Sequence, residues 1–331
     1  MHELKHFSGI LIIALFMSMS AHAAEWSVEP KISLRTGYND NIRLTTLDHD
    51  SVWEAALSPS VRFGVAKENQ GLVGDAGFKI RRFTGGNGRD SSDVLDREDY
   101  NFNTNAYHGT ERNTFRGNIN YTRDSTQDSQ LDQSGNVVEY ATRDRFTLGP
   151  SWERILTEKM KASLEYQFTT ISYSDDINLV EYDYHVLSSS LVRQFTTRVQ
   201  GTLSASYSLY KPESDIDSRT ISLQAGISRN FSETLVASFL VGQRQTTSDT
   251  FVPLGFCFGA GTFPNCPGGG VVTGSETDET DNNGLIYAAS ISKTLETGSL
   301  SASLTRSSDP SGDGDLLDST RLRLSGEHRF T

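Results

Sequence analysis

Residues 227–242 read ISRNFSETLVASFLVG: an alternating apolar run descends to a basic residue and an aromatic, crosses Ser232-Glu233-Thr234, and climbs again. The same construction recurs as WERILTEKMKASLEY (152–166), LVRQFTTRVQGTLSAS (191–206) and ISKTLETGSLSASLT (291–305). Strict alternation puts successive side chains on opposite faces of a strand, so each stretch reads as a hairpin closed by a very short turn. Before each turn a cation (Arg154, Arg193, Arg229, Lys293) precedes Ile155, Phe195, Phe231 or Leu295. A long cationic side chain beside an apolar one, at a strand end, suits the boundary between an apolar phase and water.

Working outward, the alternation extends along the chain. In VWEAALSPSVRFGV (52–65), Trp53, Leu57, Val61, Phe63 and Val65 share one face, and Glu54, Ser58, Ser60 and Arg62 share the other. That run exceeds the roughly 5–6 residues of an ordinary strand and meets the roughly 9–11 that a tilted strand needs to cross a bilayer. Fourteen such segments begin near residues 28, 52, 72, 98, 114, 142, 160, 182, 199, 218, 235, 284, 299 and 319. No helical period interrupts them, which predicts an all-β chain folded as one domain.

The connections alternate in length. Short ones fall at Lys67, Thr110, Leu156, Thr196, Ser232 and Glu296; long or polar ones fall at 43–51, 84–97, 124–140, 174–181, 211–217, 247–283 and 307–318. In a meander every second connection lies on the same side, so the turns sort to one side and the loops to the other. This is the pattern of a transmembrane antiparallel up-and-down β-barrel, of about fourteen strands. The expectation places both termini and the short turns in the periplasm, with residues 247–283 as the long external loop.

The N-terminus fits export. Lys5, the apolar run Gly9–Met19 and Ala21-His22-Ala23 have the layout of a secretory signal cleaved after residue 23. The barrel is therefore expected over 24–331, in a bacterial outer membrane whose lipids meet its apolar face. With 36% hydrophobic and 22% charged residues, composition alone fits a secreted soluble protein equally well, and the periodicity separates the two. A formal net charge of −12 argues against a nucleic-acid partner.

If the apolar face meets lipid, the opposite face lines a lumen. Candidate lining residues are Glu54, Arg62, Lys79, Arg81, Arg116, Lys161, Glu165, Arg321, Arg323 and Glu327, with Asn118, Asn120 and Gln167 among them. Mixed charges and amides suit a wet pore for polar solutes, with a transverse field across it. The same residues could instead pair with one another and fill the interior. Cys257 and Cys266, in an exported protein, read as a disulfide closing a small loop that either enters the lumen or covers its mouth. Asn39, Asp40 and Asn41 offer oxygen ligands, but these residue types also shape strand-end turns. Asp309, Ser311, Asp313 and Gly314 are spaced loosely like a calcium loop, yet Thr320 stands where a bidentate Glu belongs. No cofactor or metal is expected. His108, His185 and His328 lie in strands without a Ser or acid at diagnostic spacing, and no enzyme is expected.

The opening VEPKISLRTGYNDNIRLT (28–45), followed by uniform hairpins, resembles an outer-membrane β-barrel porin family associated with exopolysaccharide biosynthesis and export loci. The specific part is Gly37-Tyr38-Asn39-Asp40-Asn41. The resemblance implies an outer-membrane location and a role in moving or anchoring a surface polysaccharide, with that polysaccharide or its export machinery as partner, and brings no catalytic residue. The alternative is a structural or adhesion barrel whose external loops bind a partner. The chain ends LSGEHRFT (324–331), one residue past Phe330. Closure at fourteen strands requires Ile32–Leu34 to pair with Leu322–Leu324; a chain lacking a last hairpin would belong to a sixteen-stranded barrel.

Overall fold

The repeated turn has a simple chemistry. In four of the six short turns the first residue is Ser or Thr, and the hydroxyl oxygen accepts backbone N–H groups that the turn would leave unpaired. Thr196 Oγ1 accepts from Arg198 N at 3.2 Å and Val199 N at 3.1 Å. Ser232 Oγ accepts from Thr234 N at 3.3 Å and Leu235 N at 3.1 Å. Thr110 and Thr157 do the same for Asn113 and Lys159.

A computed structural model describes residues 25–42, 50–86, 95–126, 141–174, 179–214, 216–257, 270–310 and 316–328. The expected signal sequence and Cys266 lie outside these residues, as does the centre of the calcium-like loop. Every regular element is a strand. The first seven are β1 (Glu25–Asn39), β2 (Val52–Lys67), β3 (Gln70–Thr84), β4 (Arg97–Gly109), β5 (Asn113–Ser125), β6 (Thr142–Thr157) and β7 (Met160–Ser174). The second seven are β8 (Tyr182–Thr196), β9 (Val199–Pro212), β10 (Ile216–Asn230), β11 (Leu235–Cys257), β12 (Gly270–Leu295), β13 (Gly298–Pro310) and β14 (Leu316–His328). All belong to one sheet in chain order, each antiparallel to its neighbours, as the alternation predicts.

Two prolines interrupt the ladder locally. The β2–β3 pairing skips from Leu57↔Ile80 to Ser60↔Gly77 around Pro59, and the β6–β7 pairing skips from Leu148↔Phe168 to Ser151↔Glu165 around Pro150. Proline has no N–H to give, so one side of each strand loses its regular bonds there.

The structure departs from expectation at the long loop. Residues 247–257 and 270–283 are not loop: they extend β11 to 23 residues and β12 to 26, paired from Thr247↔Asp281 to Cys257↔Gly270. Thr, Val and Phe in TTSDTFV and VVTGSET favour extended backbone; β10 still pairs with β11 as far as Thr250, and beyond it β11 and β12 pair with each other.

The second departure is closure. Among the described residues β1 pairs only with β2 and β14 only with β13, so Ile32–Leu34 and Leu322–Leu324 are not joined. The reason lies at the loop end of β14. Leu316 packs against the buried cluster Ile171, Tyr182 and Tyr210 of β7, β8 and β9. Arg244 of β11, 5% exposed, donates from Nη2 to both carboxylate oxygens of Asp318 at 2.5 and 2.6 Å. Register places Leu316 and Asp318 on the face of β14 that also carries Leu322 and Leu324. The sheet thus curls past itself and takes the end of its last strand inside. Gly284 makes the reach possible: it lies opposite Arg244, and a Cβ there would sit 2.8 Å from Arg244 Nε.

Asp318→Asn is expected to lower unfolding stability in detergent by about 2 kcal/mol, less than a fully buried pair because Asp318 keeps contact with solvent. Urea titration of the folded chain measures this. Gly284→Ala should weaken the same contact and speed amide exchange at residues 316–320.

Candidate functional site

The two faces of the sheet have exchanged their usual roles. Large apolar residues stand in the open: Ile32 is 71% exposed, Leu34 73%, Leu223 57% and Leu324 71%. Polar residues are covered: Thr169 is 4% exposed, Thr246 5% and Arg143 7%. In a water-soluble fold the residues almost never fully buried are the charged ones, and a large exposed apolar surface marks a contact with another apolar phase. Because β14 lies against the face that carries Arg244 and Tyr210, that polar face is the inner one.

The inner wall is built from cross-strand pairs. One half is charged. Arg81 Nε lies 3.0 Å from Asp99 and 3.9 Å from Glu54, with Arg97 Nε 3.7 Å from Asp99. Arg143 holds Asp124 in a two-pronged pair, Nε to Oδ1 at 3.0 Å and Nη2 to Oδ2 at 2.9 Å. The other half is a lattice of hydroxyls: Ser163–Ser190 at 2.7 Å, Ser218–Ser248 at 2.8 Å, Thr220–Thr246 at 2.9 Å and Ser238–Ser290 at 2.7 Å. Direct hydrogen bonds between opposed Ser and Thr side chains satisfy groups that burial would otherwise penalise.

Register places all ten sequence-derived lining candidates on this one face. Glu54 and Arg81 meet in the ion pair above. Arg62 stands opposite Glu29 and Asp75, and Lys79 opposite Asp99. Lys161 Nζ reaches Glu153 Oε1 at 3.5 Å. Arg116 and Glu165 lie in one cross-strand row, with Ser151 between them. Arg321, Arg323 and Glu327 sit apart from these on β14, opposite Thr305, Ser303 and Ser299. The sequence reading missed Asp75, Asp99, Asp124, Arg143 and Arg244. Their parity within each segment was the available signal; their partners on neighbouring strands were not visible.

The outer face carries a turn-side rim. The Arg193 guanidinium lies 5.8 Å from the Phe195 ring centre, and Arg229 lies 4.9 Å from Phe231. In these two turns the cation and the ring are one unit, a cation–π pair at the edge of the apolar stripe. His185, on the same face, is held by Tyr166 Oη at 2.8 Å and stacks 4.8 Å from Phe168. Asn39 Oδ1 accepts from Asn41 N at 3.0 Å, an Asx turn that gives this residue its place at the end of β1. Among the described residues no group of three or more His, Cys, Asp or Glu is placed to hold a metal.

No protein-family model matches the chain, and no curated protein matches it. Solved structures similar to it include the ferric-catecholate import receptor Fiu of E. coli K12 in its closed form, at 11% identity over 86% of this chain and 51% of the receptor, TM-score 0.45. A bacterial polysaccharide outer membrane secretin matches at 11% identity over 92% of this chain and 98% of the other, TM-score 0.43. OmpT of Vibrio cholerae, in its trimer form, matches at 10% identity over 80% and 98%, TM-score 0.36. The chain spans about half the length of the import receptor.

The two faces should respond differently to loss of a charge. Arg81→Ala takes the shared cation from Glu54 and Asp99 on the inner wall, leaving Asp99 the longer contact with Arg97, and is expected to cost about 2 kcal/mol. Arg82→Ala, which removes an exposed outer pair with Glu98, is expected to cost less than about 1 kcal/mol. Urea unfolding of the two variants side by side checks the order.

Proposed function

We propose that the chain is a bacterial outer-membrane β-barrel protein whose polar inner face lines a water-filled passage for small polar solutes. The observation that carries this reading is the exchange of faces: a continuous apolar surface outside and a hydrogen-bonded polar wall inside. Strands of 13 to 16 residues outside the β11–β12 hairpin are long enough for a tilted crossing, and β-strands satisfy their backbone groups between neighbours as a bilayer demands. Membrane lipid is then the partner of the outer stripe, with the Arg–Phe pairs at the level of the headgroups. Both termini and the short turns face the periplasm, and the loops face outward. The activity is passage, not catalysis. The sequence resemblance supports a link to surface polysaccharide export, with the polysaccharide or its export machinery as partner.

One observation favours a second reading, a structural or adhesion barrel whose external loops bind a partner. The loop end of β14 occupies the concavity that a passage would need. Two experiments separate the readings. In a planar bilayer the folded mature chain is expected to give stable open channels; a folded chain that never conducts would favour the structural role. Leu223→Arg, on the outer stripe, is expected to destabilise the inserted protein by about 2–4 kcal/mol, as a charge at the bilayer midplane does. Gln224→Arg, one residue along and facing inward, should be nearly neutral. Equal effects from the two variants would remove the membrane assignment.

A further inference from the structure

The inner wall carries a depression of about 460 Å³ on β3 to β7, on the turn side of the ion-paired region. Its centre is Arg116, exposed, with no ion pair or side-chain hydrogen bond among the described residues. Asn105 and Asn118 lie toward the loop side of it and Thr114 toward the turn side, with Ser151 beside it on β6. Glu165 stands two strands away in the same row, also exposed and without a side-chain partner among the described residues. Tyr107, opposite Arg116 and 45% exposed, presents an aromatic ring at the rim.

The hollow has a cause in the sequence. Gly149 lies opposite Asn118, and a Cβ there would collide with the Asn118 amide, so the side chain lies flat across the neighbouring strand. Pro150 follows at once, and the β6–β7 ladder skips both residues.

We infer that this depression binds a hydroxylated monocarboxylate, a sugar acid in chemical class. The inference rests on reading the inner face as the wall of an aqueous passage. A guanidinium offers two parallel N–H donors that match a carboxylate. The amides and hydroxyls around it donate to and accept from hydroxyls of the same ligand. Arg116 and Glu165 are separated by two strand spacings, roughly 10 Å, which leaves room for a six-carbon chain or ring between the side chains. At the far end Glu165 accepts hydrogen bonds from hydroxyls and repels a second carboxylate, so a monoanion fits and a diacid does not. The volume lies within the range of small-molecule sites, roughly 300–1,000 Å³. Tyr107 supplies a flat apolar surface for the carbon face of the ligand.

The test is calorimetric titration of the detergent-folded full chain with D-glucuronate, glucose and galactarate, with bilayer conductance recorded on the same preparations. Glucuronate is expected to bind at least tenfold more tightly than glucose, and Arg116→Gln to abolish that difference. Arg116→Lys should retain only part of it, because an ammonium lacks the planar fork. Arg321→Gln, another inner-face cation, should leave it unchanged, and Glu165→Gln should raise affinity for the diacid galactarate. Circular dichroism confirms that each variant is folded, and Glu165→Gln tests the site independently should Arg116→Gln fail to fold. Equal binding of glucuronate and glucose, or discrimination that survives Arg116→Gln or falls equally with Arg321→Gln, would overturn the site. Glucuronate discrimination without conductance would overturn the passage and keep the site; conductance without discrimination would do the reverse.

Discussion

The structure depends on one constraint, the register of a continuous antiparallel ladder. Backbone N–H and C=O groups of a strand must find partners, and here the ladder between adjacent strands of one sheet supplies them along each strand. The hydroxyl-capped turns set how the two strands meet in four of the hairpins. Because side chains alternate with a period of two, a slip of one residue anywhere would reverse the faces of every strand beyond it. The β10–β11 ladder runs without a shift from Ile216↔Thr250 to Asn230↔Val236, which keeps Ile221, Leu223 and Ile227 on one face and Ser218, Thr220 and Gln224 on the other. Turn chemistry therefore reaches the inner wall through backbone pairing alone.

Given that register, the inner face becomes a problem of polar satisfaction rather than of apolar packing. Apolar clusters are small and gather toward the loop ends, around Ile42, Val52, Phe83 and Leu95 and around Ile171, Tyr182 and Tyr210. Elsewhere the inner wall holds itself together with opposed hydroxyls and with the Glu54–Arg81–Asp99 and Asp124–Arg143 pairs. Such a wall is stable only while each group keeps its partner, since a buried charge left alone costs more than the pair contributes. Glycines serve the same wall in a specific way. Gly284 lets Arg244 lie across β12, and Gly149 lets Asn118 lie across β6, so small residues decide where long polar side chains can go.

The ends of the sheet show what the ladder does not control. β1 is exposed on both faces along nearly its whole length, while the loop end of β14 is drawn inside by Leu316 and by the Arg244–Asp318 pair. Nothing in the alternation distinguishes a sheet that closes edge to edge from one that curls past its own edge. The choice falls to contacts between strands that are not neighbours, and here two such contacts settle it.

Much of the fold was legible in the residues. Alternation located fourteen strands, most within a few residues of their observed starts, because period two is imposed by the pleat itself. It also assigned Glu54, Arg62, Arg116 and Glu165 to one face. The extended β11–β12 hairpin was not legible, because its polar stretches lack the one-sided pattern of the other strands and are held by mutual pairing. The hollow around Arg116 likewise needed three dimensions, since Gly149, Asn105 and Glu165 meet there from three different strands. The sequence by itself determined which face each side chain would take, through turns and alternation. The tertiary structure decided which groups on that face are paired, which are left open, and that the sheet's edges stay apart, because curvature and cross-strand neighbours arise only once the strands are laid side by side.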